Sequence, residues 1–263
     1  MDFTERTTLG RTGLSVSRLG LAGGYGVPAA AVEQAYHEYG VNYFYWSTFR
    51  KPGMGQGLRN LVASHRDDMV IVLQSYDHIG ITLKHSVRSG IKELGVDAVD
   101  VIMLGWHNWR PTRRVIDQVM QLKEAGLVRH VAMSGHNRRF FGELVQQEKS
   151  PIDIFMTRYN VAHPGAESDI FPHLDENNRP GITTYTATCW RKLLNPKKMP
   201  PGEEPLTASD CYRFVLSNPH VDLCMTGPAN LEQMQEGFKA LQQGPLSDEE
   251  MVRIRKIGDY VHG

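Results

Sequence analysis

The 263-residue chain is poor in cysteine and carries no surplus charge. Cys189, Cys211 and Cys224 are its whole complement, widely spaced and without a Cys-x-x-Cys pair. That argues against a disulfide framework or a thiolate metal site and fits a reducing, cytoplasmic setting. Lysine plus arginine number 29, balanced by 29 aspartates and glutamates. A nucleic-acid binder usually shows a basic excess, so no nucleic-acid partner is expected. Long apolar runs are also missing. The strongest, residues 69–73, falls far short of the ~20 residues of a membrane helix. Met1-Asp2-Phe3-Thr4-Glu5 lacks the basic start of a signal peptide, so no membrane association is expected. No Gly-x-Gly-x-x-Gly fingerprint occurs, and no His-x-His or His-x-x-x-His spacing suggests a metal.

What remains is ordinary globular material, 41% apolar and 22% charged. Residues 7–16 read as a short hairpin with glycines at its turn. Strand-like apolar runs then recur at 18–21, 41–45, 69–73, 99–104, 128–133, 152–156, 182–187 and 221–225. Their starts lie about 23 to 39 residues apart, the length of one strand–helix unit. Eight such units predict one (β/α)8 TIM barrel over residues 1–263, with the hairpin outside the cycle.

Helix punctuation agrees with that reading. Pro28 suits a first helical position and Gly40 a C-terminal stop. Thr82 can cap a helix reaching Leu94-Gly95, and Pro111-Thr112 can open one ending at Ala125-Gly126. Another opens at Thr207-Ala208-Ser209-Asp210. Ser247 and Glu250 form a capping box for an extra C-terminal helix. Residues 190–206 read as a loop over one face of the barrel.

Parallel barrels place their chemistry at the C-terminal strand ends. Here those ends combine aromatic with hydrogen-bonding side chains. Trp46, Trp106, His136, Arg158, Tyr159 and Asn160 are the substrate-binding candidates, and Trp109 and Trp190 add to an aromatic-lined cleft. Arg158 and Arg50 could clamp an anion or could tie loops together through Glu167 or Asp77. Tyr76 and His107 bear transferable protons at strand ends, although each could equally be a packed rim residue.

The segment Thr8-Leu9-Gly10-Arg11-Thr12-Gly13-Leu14-Ser15-Val16-Ser17-Arg18-Leu19-Gly20-Leu21 resembles the hairpin and first strand of the aldo-keto reductases. Gly40-Val41-Asn42-Tyr43-Phe44, Leu122-Lys123-Glu124-Ala125-Gly126-Leu127-Val128-Arg129, Tyr159-Asn160 and Phe214-Val215-Leu216-Ser217-Asn218-Pro219 extend the resemblance over nearly the whole chain. It implies a (β/α)8 barrel that reduces carbonyls with a nicotinamide cofactor, NADP or NAD. The family's Asp-Tyr-Lys-His catalytic tetrad does not carry over. Its positions fall on Tyr45, Arg50, Gln74 and Gly105. Tyr45, Arg50, Gln74, Tyr76 and His107 are therefore the catalytic candidates. Ser134, Gly227, Asn230 and Gln233 match the cofactor-binding segments, but residues 226–236 contain no lysine or arginine and two glutamates. The expectation is an atypical oxidoreductase acting on a small-molecule carbonyl or alcohol. The alternatives are a non-redox lyase, isomerase or hydrolase reusing the pocket, or a catalytically silent small-molecule-binding protein.

Overall fold

The computed structural model describes residues 1–46, 51–147, 149–175 and 177–262. Two short antiparallel strands, β1 (Thr7–Thr8) and β2 (Ser15–Val16), form the expected hairpin. Eight parallel strands then close a barrel. In chain order they are β3 (Leu19–Ala22), β4 (Tyr43–Trp46), β5 (Val70–Ser75), β6 (Val99–Leu104), β7 (Val128–Gly135), β8 (Ile154–Arg158), β9 (Gly181–Tyr185) and β10 (Leu223–Thr226), and β10 pairs with β3 to complete the ring. Around it lie α1 (Ala29–Tyr39), α2 (Pro52–His65), α3 (Leu83–Leu94), α4 (Arg113–Glu124), α5 (Arg138–Val145), the short α6 (Ala166–Asp169), α7 (Ala208–Leu216) and α8 (Leu231–Gln243). The C-terminal helix is α9 (Asp248–His262). No helix among the described residues is long and apolar enough to cross a membrane.

Both strand faces are buried, which explains why the sequence signal is a continuous apolar run. Alternate side chains fill two separate cores. Tyr43, Val70, Val72, Val101, Met103, Ala132, Ile154, Met156, Leu223 and Met225 point inward. Leu9 and Val16 of the hairpin join this interior cluster, so the hairpin plugs the N-terminal mouth. Phe44, Ile71, Leu73, Ile102, Val131, Met133 and Phe155 face outward and pack with the helical ring.

The plugged end is fastened by one device used three times. Asp100 accepts the Ile71 N–H at 2.8 Å and pairs with Arg66 and Arg129. Asp153 accepts the Val131 N–H at 2.9 Å beside Lys123. Asp222 accepts the Ile182 N–H at 2.8 Å and a two-pronged contact from Arg179. Each carboxylate thus satisfies a strand N–H while a cation offsets its burial.

Helix ends follow the sequence closely, with two corrections. Pro28 is the N-cap of α1 rather than its first residue, with an extended ψ of 155°, while Gly40 ends α1 at φ 67° as expected. Thr82 precedes α3, but its side chain does not cap it. Asp77 does that instead, accepting N–H groups from Ile79, Gly80, Thr82 and Leu83, and those bonds hold its carboxyl below the usual range against the opposing effect of burial. Thr112 caps α4 through Val115, Thr207 and Asp210 form a reciprocal box on α7, and Ser247 and Glu250 form one on α9. The 190–206 segment is a packed loop with short 3-10 turns at Lys192–Leu194 and Pro196–Lys198 and with Leu193, Met199 and Leu206 buried.

Candidate active site

One step beyond the apolar interior layers, the inward alternation brings up polar side chains. Tyr45 on β4, Gln74 on β5, Ser134 on β7, Arg158 on β8 and Tyr185 on β9 stand at the C-terminal mouth. Tyr45 is 9% exposed. Burial, reinforced by the neighbouring phenols of Tyr76, Tyr43 and Tyr185, drives its ionisation well above the ordinary tyrosine range.

Tyr76 turns back over the end of β6. A Cβ added to Gly105 would lie 2.7 Å from the Gln74 amide nitrogen and 2.7 Å from two carbons of the Tyr76 ring. The side-chain space at 105, where the sequence resemblance puts a histidine, is therefore filled from β5. The Tyr76 ring also meets Trp106, with centroids 5.2 Å apart. Trp106 takes a positive φ of 60°, which turns its ring outward, 61% exposed. Its N–H donates to Ser134 Oγ at 3.3 Å, and the His107 N–H donates to the Ser134 carbonyl at 2.8 Å.

Across the mouth, the Tyr185 hydroxyl lies 2.9 Å from His136 Nδ1 and 3.2 Å from the Gly135 carbonyl. Burial pushes Tyr185 up to about 12, with Arg158 pulling down and Tyr76 adding to the rise. Burial and Arg158 together lower His136. The Arg158 guanidinium stands 5.8 Å over the Trp190 ring. Its Nε is buried without a hydrogen-bond partner.

Neither carboxylate considered as a loop tie reaches Arg158. Glu167 binds Arg255 at 2.8 Å and the Tyr159 hydroxyl at 2.6 Å, and Asp77 caps α3. Beside Arg158, His163 contacts Asn160 Oδ1 at 3.2 Å and Cys189 Sγ at 3.6 Å through Nδ1. Burial, with Arg158 next, holds His163 down to about 4.

The hairpin-plugged (β/α)8 barrel frames this mouth. Residues 29–189 match the Aldo/keto reductase family. The chain belongs to that family. The aldo-keto reductase AKR11C1 from Bacillus halodurans in its holo form superposes with a TM-score of 0.78 at 18% identity, over 96% of each chain. Its apo form gives 0.76 at 19% identity, over 96% of this chain and 95% of that one. At such identities the likeness concerns the fold alone. No curated protein matches the sequence.

Several side chains of this aldo/keto reductase-family member stand away from the mouth, contrary to expectation. Trp46 is 1% exposed and packs outward against Gly55 of α2, because position 46 has the opposite parity to inward Tyr45. Tyr159 likewise faces the helical layer, between Phe171 and Phe214. Asn160 is fully buried and spends its amide on Thr186 and His163. His107 is buried and stacked on His78, with centroids 4.3 Å apart. Burial and His78 hold it down to about 4, so it is a neutral imidazole at pH 7. Arg50 lies outside the described residues.

The cofactor candidates at the start of α8 are already engaged. Asn230 caps the Gln233 N–H at 2.9 Å, and Gln233 Oε1 accepts from the Ala229 N–H at 3.0 Å. A Cβ on Gly227 would collide with the Tyr25 ring at 2.8 Å. Lys239, the nearest cation along α8, is paired with Glu236 at 2.9 Å.

Tyr185 is the mouth residue that sequence reasoning missed. The seventh apolar run reads on to residue 187, whereas β9 stops at Tyr185 because Thr186 turns to φ 58°. Cys189, Trp190 and Arg191 then follow at φ 49°, 51° and 66°. Strict period-two counting from Gly181 was the available signal.

Proposed function

We propose that this protein is an atypical carbonyl oxidoreductase whose proton donor is Tyr76. The observation that carries the reading is the meeting of the Tyr76 ring and the Gln74 amide over Gly105. A phenol and an amide donor converge on the space that the family resemblance gives to a histidine. Reducing a carbonyl requires a hydride at carbon and a proton at oxygen. A bound nicotinamide supplies the hydride in this chemistry.

The chain's own residues handle the oxygen. The Gln74 N–H donates to the carbonyl oxygen and polarises it. The Tyr76 hydroxyl transfers its proton as negative charge develops there. Tyr76 is half-buried, so its phenolate regains a proton from solvent. Tyr45, held protonated by burial, forms a floor rather than a base.

The donor set fits one nicotinamide better than the other. Ser134 Oγ accepts the Trp106 N–H, which leaves the hydroxyl hydrogen to donate to a carboxamide oxygen. At α8, Glu232 stands in the first turn and Lys239 is already paired with Glu236. Carboxylates suit the hydroxyls of an unphosphorylated ribose and repel a 2′-phosphate. NADH is therefore the proposed cofactor, with Ser134, Asn230 and Gln233 the residues along its path.

The test is turnover of a panel of aldehydes and ketones with NADH, comparing wild type with Tyr76→Phe. The variant should lose about 100-fold or more in kcat, with KM little changed. Full kcat in Tyr76→Phe would remove Tyr76 from the role. If the wild type turned over nothing with either nicotinamide, the redox reading would fail, and a non-redox enzyme or a silent binder would be the better account.

A further inference from the structure

Nothing of opposite charge among the described residues answers Arg158. Among the described residues no carboxylate lies within ion-pair distance of it, although Arg66, Arg129, Arg138, Arg179, Arg213 and Arg255 all have acidic partners. Its Nε is buried and unbonded, an arrangement that costs stability unless something else supplies an acceptor. The groups that stand near it are a phenol, imidazoles and another cation. Tyr185, His136 and His163 all feel its charge, and Lys192 adds to the field at His163. The two carboxylates of this rim, Glu167 and Asp169, are bound by Arg255 and Arg138.

Resting on the carbonyl oxidoreductase reading above, we propose that the substrate carries a carboxylate, as an oxo acid or the corresponding hydroxy acid, and that Arg158 holds it. A guanidinium presents its donors as a planar fork that matches a carboxylate. Trp190 braces one face of that plane at 5.8 Å. Tyr185 pairs with Arg158 on the neighbouring strand and feels both Arg158 and Tyr76, so the anion clamp and the proposed proton donor open onto one mouth. An acid group at Arg158 would leave the rest of the substrate in the mouth that Tyr185, Tyr76 and Gln74 share. The body of the molecule would meet an aromatic rim, since Trp106, Trp109 and Trp190 are 61%, 64% and 50% exposed.

The probe pair is phenylpyruvate and its methyl ester, titrated calorimetrically into the full-length protein with and without NADH. Wild type should bind the acid at least tenfold more tightly than the ester. Arg158→Gln should abolish that preference, and Arg158→Lys, which keeps the charge and loses the fork, should retain part of it. The wild-type comparison stands even if a variant folds poorly. Equal binding of acid and ester by wild type, or an undiminished preference in Arg158→Gln, would overturn the inference. So would an Arg158→Gln defect that weakened NADH as much as phenylpyruvate, because the anion held would then be the dinucleotide's phosphate. Acid preference without any reduction of phenylpyruvate would leave the clamp standing and count against the oxidoreductase reading alone. Reduction of neutral ketones with no acid preference would do the reverse.

Discussion

Gly105→Ala tests whether the crossing of Tyr76 and Gln74 over β6 is functional. The added methyl would stand 2.7 Å from both side chains, whereas ordinary contact begins at 3.4 Å, so each must retreat by about 0.7 Å. Gly105 has no positive φ to complicate the result. Tyr76 is only half-buried and can swing outward, which puts the stability cost near the lower end of the ~1–3 kcal/mol typical of overpacking. In a chain of this size ~1 kcal/mol lowers Tm by roughly 2–4 °C. The kinetic cost should be larger, because a displacement approaching 1 Å can reduce a rate by about 100-fold. Thermal melts, Trp106 fluorescence and steady-state kinetics would be measured together. Gly24→Ala serves as control, since a Cβ there meets nothing within 4 Å. A small Tm change with a large loss of kcat is the expected signature. Unchanged kcat and fluorescence in Gly105→Ala would refute the reasoning, because the crowding that motivates it would then have no consequence.

Further outcomes follow from the same geometry. Asp222→Ala should cost about 3 kcal/mol in urea unfolding, because it strands the Ile182 N–H and the Arg179 guanidinium; Asp222→Asn, which keeps an acceptor, should cost less, and equal losses would contradict this. NADPH should bind no more tightly than NADH in a nicotinamide fluorescence titration, and a tenfold advantage for NADPH would mean that a cation beyond Lys239 meets the phosphate. His107 and His163, held down to about 4, stay neutral in the native state. The unfolded chain binds protons near 6.5, so stability is full above that pH and falls as pH drops from about 6.5 toward 4. His107→Gln should flatten part of that decline in denaturant midpoints measured across the window.

The barrel was legible because a strand buried on both faces announces itself as an unbroken apolar run, and eight such runs at unit spacing leave few alternatives. Caps were nearly as clear where the capping side chain is adjacent in sequence, as at Thr207 or Ser247. Asp77 escaped because it reaches five and six residues ahead to Thr82 and Leu83, a separation that capping rules do not scan. The mouth was harder to read. Proximity to a strand end does not determine a side chain's direction, so Tyr45 and Trp46, neighbours in sequence, face opposite cores. The same parity separates Arg158, inward, from Tyr159, which packs under the helices.

Parity also bears on what fills the space over Gly105. Gln74 near the end of β5 and Tyr76 just past it, two residues apart, both converge on the gap left by Gly105. A bulky residue at 105 and a ring from 76 cannot occupy that gap together, so the glycine and the tyrosine are a matched pair. Arg158 fits the same logic on the opposite wall, where aromatics and histidines stand near it and, among the described residues, no carboxylate comes within ion-pair distance. A mouth that had simply decayed would be under no pressure to keep a half-buried cation facing inward with its Nε buried and unbonded, since an unsatisfied buried donor is costly. A polar cluster consisting of a phenol, an amide, a phenol–imidazole pair and an unpaired guanidinium is better explained by a ligand whose charge and carbonyl complete it.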